Sequence, residues 1–319
     1  MTRCLLTGAT GFVGANLAHK LLREGHEVNL LVRKEHNPKR LEGWRDSVNV
    51  HTVELLDRDA TDKLLATLKP EWVFHLAASG AYSWQNDIEQ IFQTNVTSLV
   101  NLLEAAAKVG FAAFINAGSS SEYGYKDHAP REDELVEPNS YYAVAKASAT
   151  QFCRFLANSR KLPISTLRLY SAYGPYEDRG RLIPTIIRNG LENKLPPLVD
   201  PNIARDYIYV DDVCSAFVKA ATKLTKAELS EQGAVFNIGS SVQTSIAEVV
   251  TVAKEVMNID AEPVWGSMDN RRWDTSIWVS DNRKAREQLD WQPEHTFAQG
   301  LAKTVEWTRN HPSDFSNTP

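Results

Sequence analysis

The strongest constraint on the fold lies in the first fourteen residues. Arg3-Cys-Leu-Leu-Thr7 reads as a short buried strand, and Gly8-Ala-Thr-Gly11-Phe-Val-Gly14 follows it directly, opening an amphipathic helix to about Glu24. Strand, glycine-rich turn and helix N-terminus in that order form the context in which a dinucleotide pyrophosphate is held. Gly8 permits the tight turn, Gly11 lets the backbone approach the phosphates, and Gly14 lets helix and strand pack closely. The helix N-terminus adds N–H groups and the positive end of its dipole. The spacing is G-x-x-G-x-x-G rather than the G-x-G-x-x-G of ordinary dehydrogenases.

The next 150 residues repeat the alternation. Strands are expected at 27–32, 49–55, 71–78, 112–117 and 163–170, and helices at 61–68, at 88–108 and from Tyr142 onward. This predicts an α/β fold, a doubly wound, Rossmann-like parallel sheet over residues 1–170. Such sheets bind ligands beyond the carboxyl ends of their strands. The glycine turn, Ala77, Ser119 and Tyr170 all fall there. Ala77-Ala-Ser-Gly80 is small, which lets the backbone touch a flat cofactor. Residues 171–312 carry shorter helices and strands broken by Pro196-Pro197. They are expected to form a smaller C-terminal substrate lobe, partly returning to the sheet, with 313–319 a flexible tail.

Charge and cysteine usage narrow the function. The formal net charge is −5 with no basic tract, which argues against nucleic acid and an anionic membrane surface as partners. Cys4, Cys153 and Cys214 are widely spaced, without a metal-ligand cluster or disulfide pattern, so no metal is expected and a reducing cytoplasm fits. The N-terminal apolar run is too short for a signal peptide, and no stretch is long and apolar enough to span a bilayer.

Two further features carry chemistry. Tyr142 and Lys146 are four apart, hence on one face of a helix. A lysine ammonium one turn away favours the phenolate, which would make Tyr142 a usable acid or base near neutral pH. The expected second strand ends Val32-Arg33-Lys34, where an acid for the adenosine ribose is usual. Without that acid, and with Arg33 suited to a 2′-phosphate, NADP(H) is favoured over NAD(H).

Thr7–Gly14, His75-Leu-Ala-Ala78, Asn95, Ser119-Ser-Ser-Glu-Tyr-Gly124 and Tyr142-x-x-x-Lys146 together resemble the extended short-chain dehydrogenase/reductases. The nearest likeness is to their nucleotide-sugar epimerase/dehydratase branch. Arg168-Leu-Tyr-Ser-Ala-Tyr-Gly-Pro175, Ala204-Arg-Asp-Tyr-Ile-Tyr-Val-Asp-Asp212, Phe236-Asn-Ile-Gly239 and Leu289-Asp-Trp-Gln-Pro293 extend it. The resemblance implies that Tyr142 exchanges a proton with the sugar, that Lys146 lowers its pKa and holds the nicotinamide ribose, and that Ser119 bonds the reacting oxygen. It places Phe12, Val13, Leu55, Ala77, Asn95 and Tyr170 around the cofactor. Arg205 and Arg271 fall where the family binds the diphosphate of a nucleotide sugar. Glu54 stands where an aspartate is usual. Asn95 reads equally as a cofactor contact or a satisfied core amide.

Three reactions share this scaffold. A 4,6-dehydratase needs an acid pair at positions 120 and 121, which are serines here. Arg33 favours a 4-ketoreductase that uses NADPH on a 4-keto-6-deoxyhexose. The alternatives are an NAD-dependent 4-epimerase and, in a different class, a non-catalytic dinucleotide-binding protein. The segments 88–108 and 142–156 are the pair that similar proteins use for a homodimer. Ile91, Leu99, Leu102, Phe152 and Phe155 could serve the core or that contact.

Overall fold

A computed structural model describes residues 1–82, 84–229, 231–270 and 275–311. Ten strands are described: β1 (Arg3–Thr7), β2 (Glu27–Val32), β3 (Asn49–Thr52), β4 (Trp72–His75), β5 (Ala113–Ser119), β6 (Ile164–Leu169), β7 (Ser171–Tyr173), β8 (Ala204–Tyr209), β9 (Val235–Ile238) and β10 (Gln243–Ser245). The helices are α1 (Phe12–Arg23), α2 (Arg58–Leu68), α3 (Ile88–Phe92), α4 (Ser98–Val109), α5 (Tyr141–Arg160), α6 (Leu182–Gly190), α7 (Val210–Thr225), α8 (Ile246–Met257), α9 (Arg283–Leu289) and α10 (Phe297–Asn310).

Seven strands form one parallel sheet in the order β3-β2-β1-β4-β5-β6-β9. The order reverses between β1 and β4, which creates the crevice that binds ligands in doubly wound sheets. Successive residues of a strand point to opposite faces. Leu6, Phe74 and Ile115 therefore pack on one side with Leu17 and Leu21 of α1 and Phe217 of α7. Leu5, Val73 and Phe114 pack on the other with Leu65 of α2, Leu99 and Leu102 of α4, and Leu156 of α5. Both faces are covered, which is why these strands read as continuous apolar runs.

β9 comes from beyond residue 171 and pairs with β6, so the later part of the chain does return to the first sheet. The smaller sheet is β10-β8-β7. Asp206 of β8 anchors it: the buried carboxylate accepts from Ser240 N, Ser240 Oγ, Ser241 N, Ser280 N and Ser280 Oγ at 2.6–3.1 Å. Residues 313–319 lie outside the described residues.

The expected helix at 88–108 contains a π turn at Gln93–Thr97 between α3 and α4. Such single turns are frequent at functional sites, and this one carries Asn95. Ile91, Leu99 and Leu102 are buried in the core, whereas Phe155 is 64% exposed. Of the apolar residues that could serve a contact between copies, Phe155 is the most exposed, and Phe152 is half-buried.

Candidate active site

The glycine turn has the predicted shape. Gly8 has φ +73°, and a Cβ there would lie 2.5 Å from the Leu76 carbonyl carbon. A Cβ on Gly14 would lie 2.2 Å from Gly8 O, so only glycine lets α1 start against the turn. Gly11 N donates to Gly8 O at 2.9 Å, and Gly11 is the N-cap of α1 with no side-chain cap bond. The N–H groups of Phe12 and Val13, in the first turn, have no intrahelical partner. A cradle closed to any Cβ and lined with free N–H groups fits a dinucleotide pyrophosphate.

The adenosine end differs from the sequence expectation. Arg33 and Lys34 are exposed beyond β2. Lys34 N donates to Glu54 Oε1 at 2.9 Å. Parallel pairing of β3 with β2 thus brings a carboxylate to the tip that seemed to lack one. Glu54 therefore stands at the strand tip that carries Arg33 and Lys34. Leu55 is buried beside them, its carbonyl accepting from Asn101 Nδ2 at 2.9 Å.

α5 starts where its sequence predicts. The Ser140 hydroxyl caps it by accepting from Ala143 N at 3.2 Å, which puts Tyr142 in the first turn and Lys146 one turn later. Tyr142 is partly buried. Gly80, with φ +97°, lets the loop after β4 close on it, since a Cβ there would sit 3.2 Å from Tyr142 Cβ. Lys146 is 4% exposed, and its Nζ donates to Ala117 O at 2.9 Å. That nitrogen is 5.9 Å from the centre of the Tyr142 ring. Ser119 ends β5, with its hydroxyl 2.8 Å from Ser121 Oγ. The structure therefore brings Tyr142, Lys146 and Ser119 together at the carboxyl edge of the sheet.

The titration of the pair departs from the simple expectation. Burial pushes the Tyr142 phenol up to about 12, with the Ser119 hydroxyl working against it and the Glu122 charge adding to it. Burial pulls the Lys146 ammonium down to about 8, with Glu122 opposing. Desolvation of the charged form is the largest cause in both.

Asn95 Nδ2 donates to Ser79 O at 2.7 Å and to Ile91 O at 2.8 Å, while its buried Oδ1 has no partner among the described residues. The donor half is a satisfied core amide, and the acceptor half remains available. Ala77 N donates to Thr7 Oγ1 at 3.3 Å, holding the small run after β4 against β1. Tyr170 is buried, and its hydroxyl also has no partner among the described residues. Arg205 Nη1 donates to Ala204 O at 2.7 Å, and its guanidinium lies 5.6 Å from the Trp278 ring centre. Arg271 and Arg272 lie outside the described residues.

Sequence reasoning missed two groups. The Arg181 guanidinium stacks 4.7 Å from the Tyr82 ring centre, and both act on Tyr142. Their hundred-residue separation leaves no local pattern to read. Glu122 turns inward and is fully buried, so it faces Arg168 rather than the cleft. Among the described residues no group of three or more His, Cys, Asp or Glu is placed to hold a metal ion. No described helix is long and apolar enough to cross a membrane.

Comparison with known proteins agrees with this geometry. The model of the NAD dependent epimerase/dehydratase family matches residues 4–239. A UDP-glucose 4-epimerase from Mycolicibacterium smegmatis is 33% identical, over 97% of this chain and 99% of its own. The crystal structure of UDP-glucose 4-epimerase with UDP-glucose from Thermotoga maritima superposes with a TM-score of 0.86 at 28% identity, covering 97% of this chain and 99% of that one. UDP-glucuronic acid 4-epimerase from Bacillus cereus, in complex with UDP-glucuronic acid and NAD, gives a TM-score of 0.83 at 26% identity, over 96% and 99%.

Proposed function

The chain belongs to the NAD dependent epimerase/dehydratase family, and we propose that it interconverts the C4 hydroxyl and C4 ketone of a nucleotide-diphosphate sugar, acting as a 4-epimerase that keeps its dinucleotide bound. One observation carries this reading: Tyr142, Lys146 and Ser119 converge at the strand ends with serine, not acid, at 120 and 121. A hydroxyl cannot protonate a leaving group as a carboxylic acid does, and Glu122, the nearest acid, is buried against Arg168. Dehydration is thereby disfavoured.

The dinucleotide, when bound, supplies the hydride acceptor and donor. Tyr142, as the phenolate, would take the C4 hydroxyl proton as the alcohol is oxidised, and the phenol so formed would return that same proton as the ketone is reduced. Lys146, an ammonium below about pH 8, favours the phenolate when it forms. Ser119 would hold the reacting oxygen. Phe12 and Val13 would donate backbone N–H groups to the pyrophosphate, and Asn95 Oδ1, without a partner among the described residues, would be an acceptor. Arg205, with Arg271, would pair with the sugar's diphosphate. Glu54 at the tip of β2 opposes a 2′-phosphate and favours NAD(H).

Arg33 favours a second reading: a single reduction of a nucleotide-linked 4-keto-6-deoxyhexose by NADPH, with Tyr142 as proton donor. Incubation with UDP-glucose, UDP-glucuronic acid and their C4 epimers, with separation of the products, tests the pair. The 4-epimerase reading expects interconversion without net change in free reduced cofactor, abolished by Tyr142→Phe. Loss of NADPH with a 4-keto-sugar, and no epimerisation, would establish the reductase instead.

A further inference from the structure

A buried carboxylate beneath the site takes no part in the steps above. Glu122 is 0% exposed and its partner Arg168 is 1% exposed. Glu122 Oε1 accepts from Ser119 N at 2.9 Å, and Oε2 accepts from Arg168 Nε at 2.9 Å. Both oxygens meet N–H donors, the pattern of a carboxylate rather than a carboxylic acid. The Arg168 guanidinium is held in turn, 4.4 Å from the Tyr123 ring centre, and Nη1 donates to Glu132 O at 3.4 Å.

The backbone makes room for this carboxylate. A Cβ on Gly118 would lie 2.7 Å from Glu122 Oε1 and 3.3 Å from Arg168 Cγ. On one side of Gly118, Ala117 O accepts from Lys146 Nζ. On the other, Ser119 N donates to Glu122. Lysine, carboxylate and serine thus hang on three consecutive residues at the end of β5.

We propose that Glu122 is a positioning residue of the site: its carboxylate, shared between the Ser119 N–H and the Arg168 guanidinium, fixes the strand end from which Ser119 projects and holds Lys146 as the ammonium. The inference rests on the reading of the site given above. The groups around Lys146 come from three places: Tyr142 and Cys153 on α5, His75 on β4, and Glu122 after β5. His75 is a neutral imidazole at working pH, and burial raises the Cys153 thiol to about 12. Glu122 is therefore the one anion among them. It counters the burial that pulls the lysine down.

The test reads Lys146 directly, without turnover. Protein labelled with 13C at the lysine ε carbon is titrated by NMR, and the Lys146 signal is assigned by its loss in Lys146→Arg. Glu122→Gln keeps an acceptor for Ser119 N–H and removes the charge. The expected result is a Lys146 midpoint lowered by about one pH unit or more, with the alkaline limb of kcat moving equally. Because Glu122→Gln leaves Arg168 charged in the core, the double variant Glu122→Gln/Arg168→Met removes both charges and is expected to show the same lowering. A midpoint that stays in place in a folded variant overturns the inference and leaves the reaction untouched. A shifted midpoint in a protein that epimerises nothing supports the inference and removes the 4-epimerase reading.

Discussion

The two ends of the cleft are built differently. At the dinucleotide end the chain presents backbone: a turn in which Gly8 and Gly14 cannot carry a Cβ, and a helix start with no side-chain cap. At the proposed sugar end it presents side chains brought from distant segments, such as Arg205 of β8 beside Trp278, and Arg181 against Tyr82. A backbone site leaves a spacing in the sequence. A side-chain site leaves single residues that look like any surface arginine. Tyr142, Lys146 and Ser119 stand at the seam.

If this division holds, substitutions should separate cofactor binding, chemistry and sugar binding. The largest effect is expected at the seam. Tyr142→Phe should lower kcat by roughly 10²–10⁴-fold, while dinucleotide affinity, followed by calorimetry, stays within a few-fold. Gly14→Ala comes next. Its Cβ must displace the Gly8 carbonyl, so dinucleotide Kd should rise on the order of a hundredfold, alongside a stability loss of about 1–3 kcal/mol, read by cofactor titration and urea unfolding. Arg205→Met should raise KM for the nucleotide sugar by about tenfold, leaving dinucleotide Kd unchanged. Loss of dinucleotide affinity in that variant would break the comparison.

A pH-dependent effect concerns the floor beneath both ends. His75 is buried at the end of β4, its Nδ1 2.9 Å from Thr7 Oγ1, and its pKa is lowered to about 3, first by burial and then by Lys146. The unfolded chain takes up a proton near 6.5 that the folded chain refuses until about 3. The stability contribution is therefore complete above about pH 6.5 and is lost as pH falls towards 3, by up to about 1.4 kcal/mol per pH unit. Urea unfolding between pH 6.5 and 4 should show a shallower acid slope in His75→Asn than in the unaltered protein. Last, Phe155→Asp should leave the fold intact and, if copies pair through α5, shift the sedimentation coefficient towards a monomer.

The same division explains what the sequence showed. The glycine turn, β2 and the one-face placement of Tyr142 and Lys146 were legible because steric and periodic constraints act locally. The π turn at Asn95 was not, because a helix with one extra residue keeps nearly the same apolar period. Glu54 reaches the tip of β2 only through strand pairing, so chain order alone suggested an uncontested cation at Arg33. Glu122 stands one place from the acid pair a dehydratase would need, and only the buried Arg168 shows that it faces inward. β7, α9 and α10 carry short or polar patterns and emerge only through packing.

In the proposed reaction the site keeps an NAD and returns each sugar to the alcohol. The most direct measurement is to purify the protein without added nucleotide, denature it, and identify what is released. NAD or NADH in near-stoichiometric amount is the expected result. An empty protein that binds NADPH far more tightly than NADH would contradict the 4-epimerase and give Arg33 the corner it shares with Glu54.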